Sequence, residues 1–145
     1  MKIIQRDQSD PELTALIEEA VAELRHRYDN PEGEFRLGDG AMCWVAEVEG
    51  LPAGCVAFER VSENLAEMRR LFVRPEYRGN GVASALVGQV EAAASGLGYA
   101  TLRLETGTRQ PEAMALYEKL GYLPTEPFGD YADSPLLRCY AKGIG

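Results

Sequence analysis

The chain has 145 residues, enough to bury one sizeable core and short for two. With 46% hydrophobic and 26% charged residues it sits near the globular average, which excludes a disordered, collagen-like or disulfide-scaffold protein. Its 23 Asp and Glu against 15 Lys and Arg leave a net charge of −8, which argues against nucleic acid or an anionic membrane as partner and leaves room for a cationic one.

From the N-terminus, charge at Lys2, Arg6 and Asp7 comes too early for a signal-peptide core, and no later stretch offers about 18 consecutive apolar residues, so a soluble cytoplasmic protein is expected. A short strand at Ile3–Ile4 precedes Ser9, Asp10 and Pro11, which read as a helix start because the side-chain oxygens cap free amides and proline tolerates the first helical position. Leu13, Leu16, Ile17, Ala20, Val21, Leu24 and Tyr28 then form one apolar stripe, and Asn30–Pro31 ends the helix. Residues 41–48 and 53–61 predict an antiparallel hairpin across Glu49–Pro52, with 65–73 as its third strand. After Pro75 a helix runs from about Gly81 to Gly96, followed by a strand at 100–105, a helix at 111–120 closed by Gly121, and a final strand at 136–142. The order β-α-β-β-β-α-β-α-β-β, its last two strands forming a final hairpin, contains no repeat and no linker, so residues 1–145 are expected to form one α/β domain. Cys43, Cys55 and Cys139 lack metal or redox spacing and read as buried thiols, and no set of His, Asp or Cys has the spacing of a metal site.

The stretch 67–83 carries the chemistry. A strand ending at Val73, a turn with Gly79 and Gly81, and a helix opening at Val82 make a recipe for binding phosphate: glycine permits close backbone approach, and the helix start offers unpaired amides with a partial positive charge. Arg78 adds a full charge. Ser84 stands where the dinucleotide fingerprint needs its third glycine, so that motif is absent. Arg69, Arg70, Arg74 and Arg78 face only Glu67 and Glu76 here, giving a local basic excess within an acidic chain.

Arg78, Gly81 and Ala83, after a strand ending in Leu71, Phe72 and Val73, resemble the acyl-CoA motif Gln/Arg-x-x-Gly-x-Gly/Ala of the GNAT (Gcn5-related) N-acetyltransferases. Gln110 to Tyr122, with Ala113, Leu116, Tyr117 and Gly121, is similar to that family's second signature, Asn-x-x-Ala-x-x-Leu-Tyr-x-x-x-Gly-Phe, with Gln110 in place of the asparagine. The resemblance implies the GNAT acyl-CoA N-acyltransferase fold: a mixed, mostly antiparallel central sheet splayed after its fourth strand, with helices on both faces. It implies acetyl-CoA as co-substrate, with pantetheine lying in the gap along Leu71, Phe72 and Val73. The amides of Arg78, Gly79, Asn80, Gly81, Val82, Ala83 and Ser84 would hold the pyrophosphate, and Gln110 and Tyr117 would also contact the co-substrate. A bulge near Phe72–Val73 is expected, because it would aim an amide at the thioester oxygen.

Tyr117 matches the family tyrosine proposed to protonate the departing thiolate, against the alternative of a tyrosine packed with Leu116 and Leu120. Glu67 lies in a central strand, where a charge must be paired or used, and relatives carry a strand-four base there. It is the expected base, directly or through water, with an ion pair to Arg69 as the competing reading. Glu105 is a second candidate, as base or as binder of a substrate amine. His26 reads as a solvated surface residue. The expected activity is direct acetyl transfer to a primary amine in a ternary complex; the rival is a catalytically silent acyl-CoA sensor. Asp29, Glu32, Glu34, Asp39, Glu126, Asp130 and Asp133, with Tyr122, Phe128 and Tyr131, would form an acidic and aromatic rim suited to a cationic acceptor, or simply a solvated acidic surface. Edge strands that need cover, together with the resemblance, point to a homodimer as one arrangement.

Overall fold

The computed structural model describes residues 1–28 and 37–145. Its elements are β1 (Lys2–Arg6), α1 (Pro11–Tyr28), β2 (Met42–Val48), β3 (Leu51–Arg60), β4 (Leu65–Val73), a 3-10 turn at Pro75–Tyr77, α2 (Val82–Gly96), β5 (Thr101–Gly107), α3 (Pro111–Lys119), β6 (Leu123–Pro124) and β7 (Leu137–Gly143). Local chemistry explains several boundaries. Asp10 Oδ2 accepts the Leu13 amide at 3.0 Å, capping α1 as its sequence requires. Glu49 and Gly50 turn the hairpin with φ of 53° and 80°, the left-handed pair that matches the twist of the flanking strands, so β3 begins at Leu51, two residues before the expected start. Asn30, Pro31, Asp29, Glu32 and Glu34 lie outside the described residues.

The seven strands form one sheet in the order β1-β2-β3-β4-β5-β7-β6, antiparallel at every pair except β4–β5. On one face α1 buries Leu13, Leu16 and Ala20 against Val45, Cys55, Ala57 and Phe72. On the other, α2 and Tyr117 of α3 pack over Trp44, Phe58, Met68, Leu102 and Tyr140. All three cysteines are buried and free, and burial pushes the Cys43 thiol up to about 11 and Cys55 to about 12. Among the described residues no helix is long and apolar enough to cross a membrane, and no group of His, Cys, Asp and Glu is placed to hold a metal.

Two irregularities position the site. Strand β4 is bulged: Cys55 opposes Phe72 and Ala57 opposes Arg69, so Val56 alone faces Arg70 and Leu71. Arg70 takes φ of 58°, a left-handed conformation that side chains other than glycine rarely adopt. The extra residue lies at Arg70–Leu71, slightly before the expected Phe72–Val73, and it reverses the strand's alternation. Phe72 therefore packs beneath α1, while Val73 joins the α2 core. The second irregularity is a seam. Strands β4 and β5 pair only at Leu65–Thr101, Ala66–Leu102 and Glu67–Arg103, then diverge for the rest of their length.

Candidate active site

The divergence of β4 and β5 opens a cavity of about 330 Å³. Its walls are Glu67 to Leu71 of β4 and Leu104 to Gly107 of β5. Ala20, Leu24 and Tyr28 of α1 close one side, Gln110 and Tyr117 another, and Tyr131, Ser134 and Leu136 come from the connection before β7. Glu67, Leu71, Gln110 and Tyr117 thus line one cavity. Phe72 and Val73 are buried behind this wall, and the turn of residues 78–84 lies outside it.

The two carboxylates of the cavity have different surroundings. Glu67 Oε1 receives Arg103 Nε at 3.0 Å, and its Oε2 lies 4.0 Å from Arg69 Nε. Arg69 in turn reaches Glu59 at 3.2 Å, and Glu59 accepts the Gly38 amide. Glu105, two residues beyond Arg103 and so on the same face of β5, has a buried Oε2 with no hydrogen-bond partner. Burial first, and then the charge of Glu67, hold its pKa above the ordinary carboxylate value. Arg70 is held down to about 10, by burial first and then by the charge of Arg69.

Tyr117 is 6% exposed, and its ring meets those of Tyr122 and Tyr140 at 5.9 and 6.2 Å between centroids. Burial alone raises its phenol pKa, so the phenol is protonated at neutral pH. Gln110 Oε1 accepts the Tyr28 hydroxyl at 3.0 Å, a bond that ties the end of α1 to the start of α3. Gly107 gives that ring room: a methyl group there would run into the Tyr28 hydroxyl.

In the glycine turn, Gly79 and Gly81 both have φ of 81°. Gly81 caps α2 in this left-handed conformation, with Ala85 donating the first amide bond back to its carbonyl at 3.1 Å. The amides of Val82, Ala83 and Ser84 therefore have no intrahelical acceptor, the arrangement that receives an anion. Arg78 is committed elsewhere. Its amide donates to Pro75 O at 3.3 Å, its Nε to Val73 O at 2.8 Å and its guanidinium to Glu23 at 2.7 Å. The phosphate contact expected of its side chain requires release from Glu23.

An opened β4–β5 seam beside a glycine turn at a helix start invites comparison with known proteins. Residues 4–122 match the Acetyltransferase (GNAT) family. The chain belongs to that family. A relative, the IAA acetyltransferase of Azospirillum brasilense, is 38% identical over 93 residues, which cover 63% of this chain and 61% of that protein. The chain spans less than two thirds of the length of the curated relatives it matches. A Klebsiella pneumoniae protein provisionally assigned to the acyl-CoA N-acyltransferases superposes with a TM-score of 0.83 at 29% identity, covering 99% of this chain and 97% of its own. A GNAT acetyltransferase from Elizabethkingia anophelis, crystallised with acetyl-CoA bound, gives a TM-score of 0.75 at 17% identity over 98% of this chain and 97% of that one.

Against the GNAT frame, the motif residues stand in two groups: Leu71, Gln110 and Tyr117 at the cavity, and Gly79 to Ser84 at the mouth of α2. The partners were harder to foresee. Arg103 reaches Glu67 only through the parallel register of two strands far apart in sequence. Tyr28 read as part of an apolar stripe, although its position at the end of that stripe, beside Arg27, was compatible with a polar role at the tip. Arg70 gave no local signal that it would occupy the bulge.

Proposed function

We propose that this chain transfers an acetyl group from acetyl-CoA to a primary amine by direct attack in a ternary complex. The observation that carries the reading is the seam itself, an opened β4–β5 gap with the protonated phenol of Tyr117 at its wall. The bulge supports it by setting Arg70 and Leu71, two residues of the cavity wall, opposite the single Val56, where an amide left out of the ladder would polarise a thioester oxygen. Pantetheine would lie along Leu71, Phe72 and Val73, with its pyrophosphate on the amides from Gly79 to Ser84. Tyr117 would hold the proton that the thiol needs on leaving. Glu67, expected as the base, is braced by Arg103 and Arg69, which supports a role in fixing the charge pattern of the wall. Acetyl-CoA supplies the activated acyl group; the chain supplies orientation and proton transfer.

The test is release of free thiol from acetyl-CoA with a panel of primary amines, beside calorimetric titration of CoA. Amine-dependent thiol release is expected. Tight CoA binding without turnover of any amine would overturn the reading and leave a silent acyl-CoA-binding module.

A further inference from the structure

Across the face beneath α1, charges alternate from strand to strand: Glu59 on β3, Arg69 and Glu67 on β4, Arg103 on β5, linked at 3.2, 4.0 and 3.0 Å. Each carboxylate in this ladder has a cation. Glu105 continues the same face past Arg103 and ends it without a hydrogen-bond partner for Oε2, and the neighbouring Thr106 Oγ1 is equally buried and unpartnered. The connection before β7 passes directly over the carboxylate at Gly129, where an added Cβ would sit 3.1 Å from Oε2. Glu105 also lines the cavity, with Ala20, Leu24, Tyr131 and Leu136. A buried carboxylate oxygen without a hydrogen bond is costly, and a ligand that donates to the carboxylate relieves that cost.

We propose that Glu105 is the residue that binds the acceptor's ammonium group and takes its first proton, and that the acceptor is a small primary amine with a single positive charge and an apolar body. This rests on the acetyl-transfer reading above. Leu24, Ala20, Leu136 and Tyr131 fit the apolar body, and Arg69 and Arg70 in the same wall repel a second positive charge. The protons balance. Glu105 accepts one from the ammonium and later returns it to solvent. The nitrogen–carbon bond forms as the carbon–sulfur bond breaks, the Tyr117 phenol protonates the sulfur, and the second proton of the attacking nitrogen restores the phenol. The products are an amide, a free thiol and one proton. The raised pKa of Glu105 suits the base to this task.

Wild type, Glu105→Gln, Glu105→Asp and Glu67→Gln are compared at saturating acetyl-CoA with phenethylamine and spermidine as acceptors. Phenethylamine and its neutral isostere 2-phenylethanol are also titrated calorimetrically in the presence of CoA. Glu105→Gln should lower kcat/KM for phenethylamine about 100-fold, more than Glu67→Gln, with acetyl-CoA affinity and folding retained, and Glu105→Asp should recover part of the rate. Wild type should prefer phenethylamine over spermidine in turnover. It should also bind phenethylamine about tenfold more tightly than 2-phenylethanol, a preference that Glu105→Gln abolishes. Undiminished turnover in Glu105→Gln, a larger loss in Glu67→Gln, or better turnover of spermidine overturns the proposal while leaving acetyl transfer standing. If wild type turns over no amine, acetyl transfer falls and the binding comparison alone judges Glu105: a preference that depends on it supports the site, and no preference overturns it.

Discussion

Burial and the charge of Glu67 outweigh the pull of Arg69 and Arg103 on Glu105, whose Oε2 has no hydrogen bond, so its ionised form at neutral pH works against folding. The folded chain binds that proton more tightly than the unfolded chain does. The stabilising contribution is therefore complete below the ordinary value of 4.5 and is lost as pH rises through the raised folded value. Glu105→Gln should accordingly melt higher than wild type at pH 7, with the difference vanishing near pH 4, as thermal denaturation at the two pH values would show; about 1 kcal/mol corresponds to roughly 2–4 °C in a chain of this size. At Tyr117 the expectation is the opposite, a kinetic effect without a binding one. Tyr117→Phe keeps the ring contacts with Tyr122 and Tyr140 and removes only the hydroxyl, so on the proposed reading kcat should fall about 100-fold while the Kd for acetyl-CoA stays unchanged. Loss of both in equal measure would assign the residue to packing.

The bulge of β4 is where strand-level reading met its limit. The periodicity of α1, its start at Asp10–Pro11, and the glycines of the hairpin and of the α2 turn are local signals, and each fixes an element without help from the rest of the chain. A bulge depends on the partner strand: Val56 must face two residues, and nothing between residues 65 and 73 says which two. The same limit hid Arg103 from Glu67, because neither the parallel pairing of β4 and β5 nor its early end is written in either strand alone. The strain at Arg70 can be measured directly. With φ of 58° there, Arg70→Gly should be more stable than Arg70→Ala by about 1 kcal/mol in denaturant unfolding, since both remove the guanidinium and only glycine accepts the left-handed backbone freely. Equal stabilities would mean that the strand relaxes out of its bulge once the arginine is gone.

For the molecule as a whole, the end of α1 is fastened to both banks of the cleft. Glu23 holds Arg78 at 2.7 Å on the side of the glycine turn. On the other side Arg27 holds Glu112 at 2.5 Å and donates to Arg109 O at 2.9 Å, while Tyr28 bonds Gln110. Partly exposed pairs of this kind each contribute about 0.2–1 kcal/mol, little enough for a phosphate to compete with Glu23 for Arg78. Glu23→Gln should release the guanidinium and tighten acetyl-CoA binding about threefold by calorimetry, and an unchanged Kd would show that Arg78 serves α1 alone. The whole-chain charge of −8 is thus less informative than its distribution, since the interior wall of the cavity mixes Glu67 and Glu105 with Arg69 and Arg70.

The early end of the β4–β5 pairing leaves this protein with a strand edge in its interior, a place where backbone groups of a sheet ordinarily satisfy one another. A molecule that fills the gap completes the sheet as well as occupying a site. Binding to the folded chain alone at one hundred times its Kd would add about 2.7 kcal/mol to stability, a sizeable share of what holds a domain of this size together. On the proposed acetyl-transfer reading, the lifetime of such a chain in a cell would then follow the supply of acetyl-CoA.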